Sequence, residues 1–436
     1  MYICGKAAKN AMLLEFKVAN FRSIGEEQIL SLLPVSNQKE YPDNIIEDGK
    51  HSALNVISIY GANSSGKSNL LLAFYVMKLM ILSSAKSSST DALPWLPFLL
   101  KEGLNGSDTT FEVMFVLNGT RYRYGYKYNS KRISSEWLMR KISGRETIVF
   151  QRLGDVIDIS SGLNGSTKLI DAAIEGTKPN NLFLSMADVF NVEEAKEIIA
   201  WFYKVETLNM NSQLSLADQT NSLLKDSEYS TAIRGYLKSL SLGIEDVVVA
   251  EDYDAGRPNQ TPVLKAVHRL YDADGKPKKD TVSWDFTAFE SSGSNRALNI
   301  SGAVVKSLKT GGILIIDEIE AYMHPIMTLT MIELFMNPES NPNRTQLVFS
   351  THDTNLLNYL KLRRDQVYFM EKNKWESSEL FSLSDFKHKN AEGEELSERW
   401  DSDKEKRYIE GRYGAIPFLG GFKQFMREEI WREEGK

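Results

Sequence analysis

Apolar and polar positions change period several times along the chain. Met12–Val18 (MLLEFKV) and Gln28–Leu32 read as strands, and Val56–Tyr60 is a short β-branched run. Asn69–Leu82 is apolar at helical spacing, and a loop of small residues, Gly61–Ser68, separates it from the preceding strand. Phe111–Arg140 returns to alternation, and Asn118-Gly119 between two strand-like runs predicts a hairpin. Leu182–Leu242 reads as helical, with AKEIIAWFYKV giving one amphipathic face. Strand-like runs resume at Val247–Glu251, Val263–Tyr271 and Val282–Phe286, with the turn-rich Asp272–Asp280 between the last two. Gly311–Asp317, Gln346–Ser350 and Gln366–Met370 are short apolar runs separated by helix-like stretches, a spacing that implies parallel strands with crossovers. From Asp385 onward the chain reads as charged and helical until Gly411–Phe422. The pattern predicts an α/β fold with a mixed sheet, a β-rich N-terminal lobe and an inserted helical subdomain. We divide it at 1–181, 182–245, 246–384 and 385–436, the last a helical tail that caps the core.

Composition narrows the function classes. Across 436 residues, 42% are hydrophobic, enough for a sizeable core. Fifty-two basic against 58 acidic side chains give a net charge of −6, which disfavours a general nucleic-acid coat. One cysteine, Cys4, excludes a disulfide scaffold and a cysteine zinc finger, and fits a reducing, cytoplasmic compartment. The longest apolar stretches, such as Leu70–Leu82, are cut by Lys78 and fall short of a membrane span of about 20 residues. The N-terminus lacks a long apolar segment of the signal type. Residues 1–11 read as an extension, with Met12 an alternative start.

Gly61-Ala-Asn63-Ser64-Ser65-Gly66-Lys67-Ser68 fits G-x-x-x-x-G-K-[ST], placed after a strand and before a helix. Its backbone N–H groups can close around phosphate oxygens, Lys67 can reach the β- and γ-phosphates of ATP, and Ser68 can ligate Mg²⁺. Ile313-Leu-Ile-Ile-Asp317-Glu318 delivers Asp317 to the sheet's carboxyl edge as a second Mg²⁺ ligand, and Glu318 as the base for the attacking water. Lys67 and Asp317 lie more than half the chain apart, which suits a split ATPase head better than a compact nucleotide kinase. Ser291-Ser292-Gly293-Ser294-Asn-Arg296 opens a helix-like stretch and offers a second phosphate site, implying use in trans by a homodimer. His352, in Ser-Thr-His-Asp after a strand, can reach the γ-phosphate and water; His324 orients the loop after Glu318.

GANSSGKS, SSGSN, ILIIDE and STHD, in this order, resemble the ABC-type ATPase heads of SMC, RecF and OLD proteins. LLEFKVANFRSI resembles their N-terminal strand pair, where the arginine at the position of Arg22 approaches nucleotide. FRSIGEEQ, GANSSGKSN, FESSGS, DEIEAYMHP, FSTHDTNLL and YIEGRYGAIPFLG together resemble the AAA-family ATP-binding proteins typified by RloA and AbiLi, over residues 13–420. PARIS AriA is similar at greater distance. The resemblance implies nucleotide contacts from Asn69 and from Ser292, Gly293 and Ser294, the last a threonine in relatives. It also implies an ATP-dependent dimer, with higher oligomers open. A Toprim- or RloB-like nuclease from a neighbouring gene would be its effector in antiphage defence. The equivalent of those heads' glutamine loop is left open: Pro97–Phe98, where it would be sought, holds no glutamine.

A second reading is a RecF-like, DNA-binding ATPase of repair or chromosome maintenance, kept open by Arg121/Arg123/Lys127/Lys131/Arg132 and Lys276/Lys278/Lys279. A built-in Toprim nuclease is disfavoured, because Glu251, Asp252 and Asp254 read as a strand-end turn and only a short tail follows His352. Coupling to a membrane transporter is the weakest reading.

Overall fold

The computed structural model describes residues 11–160, 162–208, 213–250, 263–389 and 395–417, with Gly421 and Met426. Cys4, the other N-terminal positions and Glu251–Asp254 lie outside the described residues.

A six-stranded sheet forms the centre, in the order 205–208, 313–316, 346–350, 56–60, 367–372, 378–382. All neighbours are parallel except the last strand, Ser378–Ser382, which runs antiparallel to Val367–Lys372. The central strands VISIY, ILII and QLVFS are buried at every position, because helices or a second sheet cover both faces. Alternate residues feed two cores. Ile57, Ile59, Ile313, Ile315 and Val348 face one core, while Val56, Tyr60, Leu314, Ile316, Leu347 and Phe349 face the other.

The first core lies between the central sheet and a seven-stranded antiparallel sheet, in the order 156–159, 147–153, 133–141, 120–128, 109–117, 11–19, 28–31. The hairpin turn Asn118-Gly119 has φ 51° and 73°, the left-handed pair that a two-residue turn of this hand requires. Along Thr120–Tyr128 the tyrosines 122, 124, 126 and 128 all point inward. The helix Lys67–Ser83 runs between the sheets and buries Leu70, Phe74, Met77 and Ile81. Fully burying each such side chain contributes about 1.5–3 kcal/mol. With its 3-10 extension this helix spans Lys67–Lys86 and is by length and composition apolar enough to cross a membrane. That exceeds the expected Leu70–Leu82. The apolar excess is explained by packing on two sheets, and Lys78 donates its Nζ to the Val205 carbonyl.

The stretch read as wholly helical holds Phe183–Val189, Glu193–Tyr203, Gln213–Leu224 and Ser227–Ser239, but also the strand Val205–Leu208. These four residues continue the amphipathic pattern of the helix before them and become a strand by pairing in parallel with Ile313–Ile316. Helices 213–224 and 227–239 pack on helix Ser292–Thr310 and on a three-stranded sheet, 246–249, 264–271 and 277–285, around a third core. The tail also departs from its helical reading. Lys387–Lys389 pairs antiparallel with Glu395–Ser397 before the short helix Lys404–Ile409. Tyr408 and Tyr413 then pack on Phe369 of the second core, with ring centroids 5.3 Å away in each case.

Candidate active site

Strand pairing sets the level of the site. Ile59 pairs with Ser350, and Phe349 with Ile316, so Gly61, Thr351 and Asp317 emerge together at the carboxyl edge of three adjacent parallel strands. Gly66 caps helix Lys67–Ser83 with φ 114°, and a Cβ there would collide with the Ser378 side chain, so the loop needs glycine. No side chain caps this helix, which leaves its first N–H groups open to an anion. Lys67 is buried, and its Nζ donates to the carbonyls of Gly61 (2.7 Å) and Ala62 (3.1 Å). Burial pulls its ammonium down to about 8, against the pull of the Asp317, Glu318 and Glu320 carboxylates. The Ser65 hydroxyl is buried without a hydrogen-bond partner, and Asn63, Ser64 and Ser68 are exposed around it. Open helix N–H groups, an orphan hydroxyl and an ammonium resting on its own loop make a cradle that fits a polyphosphate. Ser68 at the helix start and Asp317 offer the hard oxygen donors that fit Mg²⁺.

Ser350 organises the acidic turn. Its hydroxyl donates to Asp317 Oδ1 (2.5 Å) and accepts the Glu318 N–H (2.8 Å). Glu318 is held at φ 50°, a left-handed conformation that costs a non-glycine residue about 1–3 kcal/mol. Glu320 Oε1 accepts the His352 backbone N–H at 2.6 Å, which ties the acidic turn to the histidine loop. The exposed His352 ring has its pKa lowered by partial desolvation and then by the Lys67 charge, with Glu320, Glu318 and Asp317 opposing. It is therefore neutral at pH 7 and can accept a hydrogen bond. His324 Nδ1 accepts the Ile326 N–H (3.3 Å) and caps helix Pro325–Met336.

Arg22 is exposed in a tight turn at φ 52°. The next residue, Ser23, accepts hydrogen bonds from Asn69 Nδ2 (2.7 Å) and Ser378 Oγ (2.8 Å), which brings the Arg22 turn against the first turn of the P-loop helix. Asn69, expected at the nucleotide, directs its amide N–H to Ser23. Ser292 is exposed and Gly293 half-buried at the start of helix Ser292–Thr310. Ser294 is buried, and its backbone N–H and hydroxyl both meet Ser291 Oγ, at 3.1 and 3.0 Å. Its side chain thus belongs to the helix cap, while Ser292 and Gly293 remain at the surface. No hydrogen bond joins residues 291–294 to the 61–69 segment among the described residues. Within one chain the structure gathers the P-loop, Asp317, Glu318 and His352, with the turn that carries Arg22 against the P-loop helix. Ser23, Ser350 and Glu320 were missed as site residues, though Glu320 follows Glu318 in DEIE and Ser350 opens STHD.

Residues 56–358, which include the P-loop, the acidic turn and the histidine loop, match the family model described as "AAA domain, putative AbiEii toxin, Type IV TA system". The chain belongs to this AAA-domain family. No curated protein matches the sequence significantly. Among solved structures, an SmcHead bound to the C-winged helix domain of ScpA is similar at 12% identity, TM-score 0.44, over 85% of this chain and 97% of that chain. An SMC head domain from Thermotoga maritima gives 12% identity and TM-score 0.39, over 85% and 98%. An Smc head domain with an extended coiled coil, bound to the C-terminal domain of ScpA derived from Pyrococcus furiosus, gives 14% and 0.38, over 86% and 96%. In this AAA-domain chain the family match spans the strands that carry the P-loop and the acidic turn.

Proposed function

We propose that the chain binds and hydrolyses ATP as a homodimer. It would serve in the cytoplasm as the nucleotide-controlled sensor or scaffold of an antiphage defence complex whose nuclease is a separate protein. The observation that carries the ATPase reading is the meeting of Lys67, Asp317, Glu318 and His352 at one sheet edge from three separate segments. Lys67 leaves its loop carbonyls for the β- and γ-phosphate oxygens, and the open N–H groups of residues 61–68 take the remaining charge. Ser68 and Asp317 would hold Mg²⁺, which would supply positive charge to the phosphates. Glu318 orients the attacking water and receives its proton, and the neutral His352 ring accepts a hydrogen bond beside it. Ser292 and Gly293 of a second copy close over the γ-phosphate, so that hydrolysis loosens the dimer and switches the bound partner.

The defence role rests on the resemblance to RloA and AbiLi proteins alone. The RecF-like alternative gains no support from the lobe. Arg121 pairs with Glu146 (3.5 Å), Arg123 with Glu112 (2.9 Å), and Arg132 with Asp155 (2.8 Å), so the three arginines of this cluster are paired with carboxylates, while Lys127 and Lys131 are exposed. Lys276, Lys278 and Lys279 are exposed among Asp272, Asp274 and Asp280. Lys67→Ala tests the central reading. Binding of a fluorescent ATP analogue should be lost while the far-UV spectrum stays unchanged, and wild-type affinity in this variant refutes the P-loop assignment.

A further inference from the structure

Arg296 lies in the second turn of helix Ser292–Thr310. The residue is 4% exposed, and its Nε, Nη1 and Nη2 all lack a hydrogen-bond partner among the described residues. A guanidinium can neither shed its proton nor accept a hydrogen bond, so burying it without acceptors is among the costliest arrangements a side chain can adopt. The charges bearing on it are Glu318 first, then Asp317 and Glu320. Among the described residues it forms no ion pair with any of them. The facing turn holds unused acceptors. Glu320 Oε1 takes the His352 N–H, while Oε2 is buried with no partner. The Glu318 carboxylate makes no hydrogen bond among the described residues.

Helix and turn are already in mechanical contact. A Cβ on Gly293 would lie 2.8 Å from the Tyr322 carbonyl oxygen, so the start of this helix abuts the end of the acidic turn without slack. A small shift of the helix start therefore moves the turn as well. We propose that Arg296 is a positioning residue: when Ser292 and Gly293 engage a phosphate on a second copy, its guanidinium closes onto the carboxylates of Glu318 and Glu320 in its own chain. That contact fixes the direction of the hydrolytic base, and turnover in one site becomes conditional on capture of nucleotide in the other. This inference rests on the ATP-hydrolysis reading above.

The test uses the full chain with Mg-ATP, measuring steady-state turnover, binding of a fluorescent ATP analogue and the thermal midpoint. In Arg296→Ala, kcat should fall about 10–100-fold, with analogue affinity and KM within about twofold of wild type. Arg296→Lys should recover part of the rate, since it restores the charge without the planar fork. Wild-type kcat in Arg296→Ala overturns the proposal. So does a parallel loss of binding, turnover and thermal midpoint in both variants, which would mark Arg296 as structural. A wild-type chain that hydrolyses no ATP sinks both readings together, whereas wild-type turnover beside an unaltered Arg296→Ala sinks only the role given to Arg296.

Discussion

Two buried arginines divide the molecule. Arg152, in the lobe, is 1% exposed and fully employed. It donates from Nε to the Gly154 carbonyl (2.8 Å), from Nη1 to Asn181 (2.5 Å), and from Nη2 to Lys178 (3.2 Å) and Pro179 (3.3 Å). Beside it, Glu136 accepts the Tyr124 hydroxyl (2.9 Å) and the N–H groups of Phe183 (2.7 Å) and Leu184 (3.0 Å), at the start of helix Phe183–Val189. Burial raises the Glu136 pKa, while Arg152 3.8 Å away and the backbone donors hold it down. Arg296, nearly as deep, has no hydrogen-bond partner among the described residues. The Arg152–Glu136 network of the lobe is satisfied within one chain, although Asn180 Oδ1 and Asn181 Oδ1 beside it are not. At the carboxyl edge of the central sheet, by contrast, the whole Arg296 guanidinium and Glu320 Oε2 stand without partners among the described residues. Fully satisfied networks hold a structure in one arrangement, whereas orphaned donors and acceptors side by side mark an element with a second arrangement available.

Removing the base at the carboxyl edge should have the largest effect on turnover. Glu318→Gln should lower kcat by about 10²–10⁴-fold while ATP binding persists and the nucleotide-bound dimer accumulates in size-exclusion chromatography. Its thermal midpoint should stay close to wild type, because the Glu318 carboxylate contributes no hydrogen bond to the fold among the described residues. Retained turnover would remove Glu318 from its role. In the lobe the pattern should reverse. Arg152→Met leaves the carbonyl acceptors of Lys178, Pro179 and Asn181 without their donor and Glu136 without its counter-charge, at a cost of about 3–5 kcal/mol in chemical denaturation. ATP turnover at temperatures where this variant remains folded should be near normal. A loss well under 1 kcal/mol would show that the satisfied network does not hold the lobe.

The sequence exposes these regions unequally. The P-loop, the acidic strand and the Asn118-Gly119 turn are local patterns, in which the residues that specify the geometry are adjacent in the chain, and each lies where it was expected. Val205–Leu208 was hidden because four residues carry too little periodicity to stand apart from a preceding helix, and its strand character comes from Ile313–Ile316 across the sheet. Gln346 was hidden for a related reason. It sits inside an apolar strand, yet its amide exchanges hydrogen bonds with the Leu13 N–H and carbonyl beside the register shift of strand Ala11–Ala19. At the site, Ser292 and Ser294 look alike in sequence, and only the cap geometry separates an open serine from one bonded to Ser291. Arg296 follows the same motif and reads as an ordinary helix residue. Its meaning depends on burial and on missing partners, which are properties of the folded chain.

The smallest expected effect is also the most discriminating. Arg296→Met replaces a buried, unpaired cation with an apolar side chain of similar length. Where a buried charge is well paired, as at Arg152, this change is expensive; where nothing receives its hydrogen bonds, it relieves desolvation and loses little. The acidic turn would lose a counter-charge. Glu318 is half-exposed, however, and Lys67 supplies positive charge from the other side. The folding stability of Arg296→Met should therefore equal wild type or exceed it by about 1 kcal/mol, read as an unchanged or raised denaturation midpoint. A loss as large as that of Arg152→Met would mean that Arg296 is bonded in solution, and the contrast between the two regions would collapse. Unchanged stability together with the loss of turnover expected for Arg296→Ala would place its value in the cycle of the site, because a cation that contributes nothing to folding would then be needed only when nucleotide turns over.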